Sequence, residues 1–334
     1  MPSALSDSGE GTGAVLVQRS RCLLILLTAS LLVCGSCRLL IAAAAPASEQ
    51  PPALGLAVQP GGMLIQDISP GGRYDLKEKT GIGLTVFNRD SRDHTYLLST
   101  HRPSEVGNRR LPSGYFDIPD PSWFRFEKPE VHVPAQGSVE VGMYLEVPGD
   151  ERYHNQHWSV SVGVVGKPGP GEMLTLAVYP RFEIETTPAT RAELRLRPAG
   201  EIGLAPSVVV FSGLAPGDRR EAEFVLCNND RRHRAHRYDF TILPEGESGD
   251  GRRIFPSAGY AWVPGTSWLR TRYPSVWVGK GRSLAVPFRV KIPNGLRPHA
   301  KGWEGIIFIK REDGATGFVR VVIKTDTLSP AGVS

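Results

Sequence analysis

The sequence predicts an all-β chain: two tandem antiparallel β-sandwiches behind an N-terminal signal segment. Three observations carry this. Gly 37 and Pro 28 make up about a fifth of 334 residues, a composition of short strands and turns. The run Gly114–Pro148 recurs without a gap 145 positions on, at Gly259–Pro293. Within each copy, apolar and polar residues alternate with a period of two.

The N-terminal segment comes first. Arg19 and Arg21 precede the apolar run Cys22–Cys37, and the small residues of IAAAAPAS follow it. A basic flank, a short apolar core and an A-x-A end read as a secretory signal, cleaved after Ala45-Pro46-Ala47 and spanning residues 1–47. The rival is an uncleaved membrane anchor, but the apolar run is short for a span of about 20 residues, and Arg38 ends it. Three of the four cysteines, Cys22, Cys34 and Cys37, lie in this segment. Cys227 alone remains, so the mature chain forms no internal disulfide, and its strand-like surroundings EFVLCNND suggest a small buried side chain.

The repeat organises the rest. Over 113–165 against 258–310 there are 15 identities, among them Trp123/Trp268, Trp158/Trp303, Ser122/Ser267 and Arg125/Arg270. A period this long means tandem domains rather than a solenoid. The expected organisation is a first domain over 48–187, a linker over 188–193, a second domain over 194–327 and a tail over 328–334. The run Thr186–Arg191 reads as exposed, and each copy as having its own core.

Strands follow from the alternation. In Val139–Val147 the apolar set is Val139, Val141, Met143, Leu145 and Val147; in Leu284–Ile292 it is Leu284, Val286, Phe288, Val290 and Ile292. Each reads as a half-buried antiparallel strand. Further strands are expected over 83–88, 95–100, 158–165 and 174–185, and in the second copy over 222–228, 238–243, 305–310 and 318–325. Turn signals such as SPGG, PGD, PNG and EDG separate them. The recurring Trp123, Trp158, Trp268 and Trp303 read as packing residues, because both copies must fill the same volume.

The order of marks in the second copy is Pro216-Gly217-Asp218, then Phe224–Asn228, then Pro274–Pro293. It resembles bacterial immunoglobulin-like domains of the kind related to pilus-chaperone and major-sperm-protein modules. The resemblance implies a seven- or eight-stranded sandwich that binds partners and rarely catalyses. Pilus chaperones of this superfamily also have two domains and carry a basic pair that grips a subunit's carboxylate; no positions here match that pair.

Chemistry is sparse in the pattern. His154/His157 and His233/His236 each have a two-residue gap, but neither has ligating neighbours in sequence, and the second lies among four arginines; both read as solvated loops. Arg152 and His154 read as turn caps. No nucleophile elbow and no phosphate loop occurs. No catalytic residue, cofactor or metal is therefore expected. The +5 net charge is spread along the chain and does not argue for nucleic acid.

What differs between the copies is the better guide to function. Arg231, Arg232, Arg234 and Arg237 follow Asn228-Asn-Asp230 where a loop is expected, whereas the first copy has mixed charge there. Trp262 and Trp277 stand where the first copy has Asp117 and His132. These six are the candidate partner-binding residues, for an envelope protein or an anionic glycan. The expected role is that of a secreted, periplasmic or envelope-associated structural or adhesive protein without enzymatic activity. Its edge strands would supply contacts, and the membrane would be touched only through an uncleaved N-terminal segment. The alternative is a periplasmic assembly chaperone for surface or pilus subunits.

Overall fold

The computed structural model describes residues 55–107, 111–169, 175–189, 202–230, 235–243, 254–294 and 302–324. The signal segment and its three cysteines, residues 190–193 of the expected linker, and the tail lie outside them. The regular structure of the described residues is nearly all strand and forms two sandwiches, as the alternation requires.

The first sandwich contains β1 (Leu56–Gln59), β2 (Gly62–Ile68), β3 (Arg73–Asp75), α1 (Leu76–Thr80), β4 (Leu84–Asn88), β5 (His94–His101), β6 (Phe116–Asp117), β7 (Phe124–Phe126) and β8 (Glu130–Val133). It continues with β9 (Ser138–Val141), β10 (Met143–Glu146), β11 (His157–Gly166), β12 (Ala177–Val178) and β13 (Arg181–Thr186). One layer has the order β2-β13-β11-β5-β8; the other is made of β1-β4-β9 and β3-β10-β7. The second sandwich contains β14 (Ile202–Ala205), β15 (Val208–Phe211), β16 (Arg219–Asn228), β17 (Ala235–Leu243), β18 (Ala261–Trp262), β19 (Leu269–Thr271), β20 (Ser275–Gly279), β21 (Ser283–Lys291), β22 (Gly302–Arg311) and β23 (Thr316–Lys324). Its layers run β14-β16-β21-β19 and β15-β23-β22-β17-β20.

Pairing is antiparallel with two parallel departures repeated in both copies, the short β6 beside β11 and β18 beside β22 being one of them. The opening stretch of each sandwich changes layer, so that β2 runs parallel to β13 and β15 parallel to β23. The first copy also departs from the second where one long strand was expected over 139–147. The second copy's β16 and β21 pair without interruption from Arg219↔Lys291 to Cys227↔Ser283. In the first copy, α1 interrupts the strand that corresponds to β16. Asp75 caps the helix by accepting from Lys77 N and Glu78 N, and Gly81, at φ 75°, ends it in the left-handed region. The partner strand breaks at Gly142 into β9 and β10, which pair with the two halves separately. The strand expected from 174 to 185 is broken too, at Pro180, which has no N–H to donate.

Each sandwich buries its own core. Met63, Ile65, Leu84, Phe124, Val160 and Phe182 are among the residues that fill the first, and Phe224, Leu226, Phe240, Val286, Phe288 and Ile307 among those of the second. The repeated tryptophans do the same job in both. Trp123 meets Trp158 at 5.5 Å between centroids and 60°, and Trp268 meets Trp303 at 5.3 Å and 58°. All four are buried. Cys227 is buried as well.

Candidate partner-binding site

Of the candidate residues, Arg231, Arg232 and Arg234, with His233, lie outside the described residues. The other three are separated by the fold. Arg237 was expected in a loop but lies on β17, exposed, with a 2.8 Å ion pair to Asp239. Trp277 lies on β20, directly opposite Arg237 in the antiparallel register. It is 64% exposed, more than any other large hydrophobic side chain among the described residues. Trp262 is not part of that patch. It lies on β18, half-buried against a cluster of Tyr115, Leu243, Ile254, Ile306, Phe308 and Phe318. Its apolar area is spent on packing between the sandwiches.

The edge that carries Trp277 is formed by local sequence. β20 reads Ser-Val-Trp-Val-Gly, with Val278 turned into the core and Trp277 outward. Among the described residues, β20 is the last strand of its layer and pairs with β17 alone. The outer backbone groups of such a strand are open to a further strand. The corresponding edge of the first sandwich, β8, presents Glu130 and His132 outward instead. Lys167 pairs with Glu130 at 3.2 Å and Asp93 with His132 at 3.5 Å. Charged side chains of this kind guard an edge against added strands.

Two of the four histidines expected in solvated loops, His157 and His236, are buried on strands. His157, at the start of β11, stacks on Phe318 at 4.0 Å and 4°. His236, on β17, lies between Asp230 at 3.0 Å and Glu312 at 3.1 Å. Asp230, His236 and Asp313 bring one ligating atom each within 4.8 Å of one another. Both ring nitrogens of His236 are already engaged by carboxylates, and Asp313 is held by the Arg311 guanidinium at 2.5 Å, an arrangement that suits ion pairing rather than a divalent ion. His154 acts as expected of a cap, meeting the Thr187 carbonyl at 3.1 Å, whereas Arg152 pairs with Asp150.

A second constellation, absent from the sequence reading, joins the two sandwiches. Arg320 on β23 is 1% exposed and donates to both carboxylate oxygens of Glu185 on β13, at 2.7 and 2.6 Å. It also donates to Glu304 on β22 and, at 2.9 Å, to the Phe255 carbonyl. Tyr115 donates to Glu185, and Gln66 Nε2 bridges Glu185 and Ser257 at 3.0 Å each. Ser257 in turn donates to Glu304 at 2.6 Å. Asn155, at φ 58°, accepts from Ser207 N at 2.8 Å and donates to the Ala189 carbonyl at 2.7 Å, tying the first sandwich to the start of the second. Thr186, expected at the start of an exposed linker, is buried, and its hydroxyl accepts from Gln156 N at 2.8 Å.

Electrostatics follow from this burial. Desolvation would raise the Glu185 carboxyl, but the Arg320 charge and its hydrogen bonds hold it down to about 2. Burial, with the Glu185 charge behind it, pushes the Tyr115 phenol well above its usual range. Burial would lower the Arg320 guanidinium, and the two carboxylates hold it charged. Glu183, two residues before Glu185, lacks such a partner geometry; burial raises it to about 7 against the smaller pull of Arg181. In the joint, the Arg320 guanidinium is paired with the carboxylates of Glu185 and Glu304. The one signal in sequence is the near-unbroken apolarity of Gly302–Arg311 and Thr316–Lys324, which marks strands buried on both faces, with Arg320 and Glu304 set inside them.

No family model matches the chain, and no curated protein matches it. Among solved structures, a protein of unknown function from Porphyromonas gingivalis W83 is similar at 12% identity, covering 81% of this chain and 99% of that one, with a TM-score of 0.29. The E. coli chaperone DraB is similar at 10% identity, over 81% of this chain and 96% of its own, with a TM-score of 0.28. A PapD-like domain of human CEP192 is similar at 14% identity, over 43% of this chain and 93% of its own, with a TM-score of 0.30.

Proposed function

We propose that this protein is a non-enzymatic protein of the cell envelope that holds an extended segment of a partner protein, added as a strand to the β20 edge of the second sandwich. The observation that carries the reading is Trp277, 64% exposed on an edge strand and opposite Arg237. Strand addition supplies affinity through main-chain hydrogen bonds, and an exposed tryptophan supplies a large rigid contact area for the incoming side chains. The basic flank, apolar run and small-residue end of the N-terminal segment support a partner outside the cytoplasm. Between adhesion and the holding of an unassembled subunit, the β20 edge supports holding: an edge strand with an exposed tryptophan suits one strand of one partner.

A photo-crosslinking residue placed at position 277 or, as the register-matched control, at 132 tests this in producing cells. Capture of a discrete envelope protein from 277 and not from 132 supports the reading, with slowed hydrogen exchange of the β20 amides in the captured complex. Equal capture from both positions overturns it.

A further inference from the structure

The outer face of the β16-β21-β19 sheet carries a group of cations on a different layer from the β20 edge. Arg289 on β21 lies opposite Arg270 on β19 and Glu221 on β16; one step along, Lys291 lies opposite Arg219. Arg272 follows β19, its N–H donating to the Pro287 carbonyl. Arg219 is paired with Glu221 at 3.0 Å. Among the described residues, Arg270, Arg272, Arg289 and Lys291 form no ion pair. A cleft of about 360 Å³ is lined by Arg270, Arg272 and Arg289, by the Arg219–Glu221 pair, and by Thr271 and Pro287. Phe288, also in the lining, turns its ring into the core.

The same face of the first sandwich has none of this character. At the positions that match Arg270, Arg272, Arg289 and Lys291 by the 145-residue offset stand Arg125, Glu127, Tyr144 and Glu146. There Arg125 reaches Glu146 at 3.9 Å and the Arg73 guanidinium lies 5.9 Å from the Tyr144 ring. The cation excess is therefore a property of the second copy alone, and neither the shared fold nor the shared core requires it.

We infer that this face is a docking surface for a linear polymer of phosphate groups. Neighbouring strands lie about 5 Å apart, and alternate residues of one strand roughly 7 Å apart. Those spacings fall within a Debye length of about 8 Å at physiological salt, so the side chains act as one field rather than as separate charges. Three of the four unpaired cations are arginines, whose planar forks match phosphate oxygens two at a time. The face has charge but no apolar pocket, so it lacks the anchors that a folded protein partner would use. A ligand whose every unit carries charge fits it. The inference is independent of the β20 reading, since it concerns another layer and another chemistry.

The test measures binding of the mature chain to long-chain inorganic polyphosphate at several salt concentrations, with polyglutamate of equal charge as the carboxylate probe. Binding should weaken steeply with salt, and polyphosphate should bind at least tenfold more tightly than polyglutamate. The variant Arg270→Gln/Arg272→Gln/Arg289→Gln should lose tenfold or more in affinity, and its salt slope should fall by about 2, at roughly 0.7 per lost phosphate contact. Arg289 is half-buried, so the pair Arg270→Gln/Arg272→Gln, both exposed, gives the fold-safe version, with a slope lower by about 1.4. Lys128→Gln, an exposed cation of the first sandwich, should bind as wild type. Unchanged binding by the double variant, or equal affinity for the two polymers, overturns the inference.

Discussion

The two sandwiches have similar interiors and opposed surfaces. Trp123 and Trp158 pack as Trp268 and Trp303 do, to within 0.2 Å and 2°. Outside the cores the copies part. The edge strand β8 is guarded by Glu130 and His132, and β20 presents Trp277. One flat face is charge-balanced and its counterpart is cationic. On the face that meets the other sandwich, Arg181 pairs in register with Ser161, and Arg320 with Ile306, its counterpart by the repeat offset. Arg181 is half-buried, whereas Arg320 is enclosed by Glu185 and Glu304. The repeated positions hold the fold; the positions that diverge hold the joint and the binding surfaces.

The largest expected effect breaks the joint. Arg320→Leu leaves Glu185 and Glu304 buried without a cation, and removing one partner of such a network costs about 3–5 kcal/mol. Arg181→Leu, at the matching position, should cost less, because Arg181 is only half-buried. Urea unfolding of the two variants measures the difference, and equal losses would remove the distinction between the two faces. In the wild type, a truncation after Thr186 deletes Arg320 but also exposes Glu185 to water. The first sandwich alone should therefore fold, with the pH dependence of an ordinary glutamate at 185.

Next in size is the pH dependence, in which two glutamates on one strand act with opposite sign. Glu185 is held at about 2 against an ordinary 4.5. Its contribution is present above pH 4.5 and is lost as pH falls from there toward 2, an effect of about 3 kcal/mol. Glu183 is raised to about 7. Its contribution is present in full below pH 4.5 and is lost as pH rises through 7, because the folded state then holds a proton the unfolded state has released. Stability between pH 4.5 and 7 should accordingly decline with rising pH, and Glu183→Gln should flatten that window while leaving the acid limb intact. Chemical denaturation at a series of pH values resolves both limbs; an acid limb that vanishes with Glu183→Gln would refute the assignment.

How much of this is legible in sequence depends on whether the cause is local. The alternation in Leu284–Ile292 yields β21 almost residue for residue, and the tryptophan repeat yields the core pairs. The break at Gly142 was not legible, because its cause, the helix α1 in the neighbouring strand, is 60 positions away in the chain and short enough to lack an apolar stripe. Trp262 and Trp277 look alike in sequence, and only the position of β18 at the junction and of β20 at an edge separates them. The joint was illegible for the same reason: Glu185 and Arg320 are 135 residues apart, and nothing in either strand names the other. The cationic face is legible in sequence, since Arg270, Arg272, Arg289 and Lys291 all fall inside the aligned repeat, opposite Arg125, Glu127, Tyr144 and Glu146.

The smallest effect on stability is the one that separates binding from folding. Trp277 makes its contacts on the outer side of an edge strand, so Trp277→Ser should shift unfolding free energy by no more than about 0.5 kcal/mol, as surface substitutions do. Truncating Trp268, buried in the core, should cost about 3–5 kcal/mol. If the β20 edge is the holding site, Trp277→Ser abolishes partner capture in a chain that melts with the wild type. The converse exchange sharpens the comparison further. Installing the first copy's guards, Ser275→Glu with Trp277→His, places a carboxylate beside the open backbone of β20 and leaves the strand's inward Val278 in place. An added strand must then desolvate that charge, so capture should fall with the fold intact. A guarded β20 that captures its partner as well as wild type would mean that the edge is not where the partner lies.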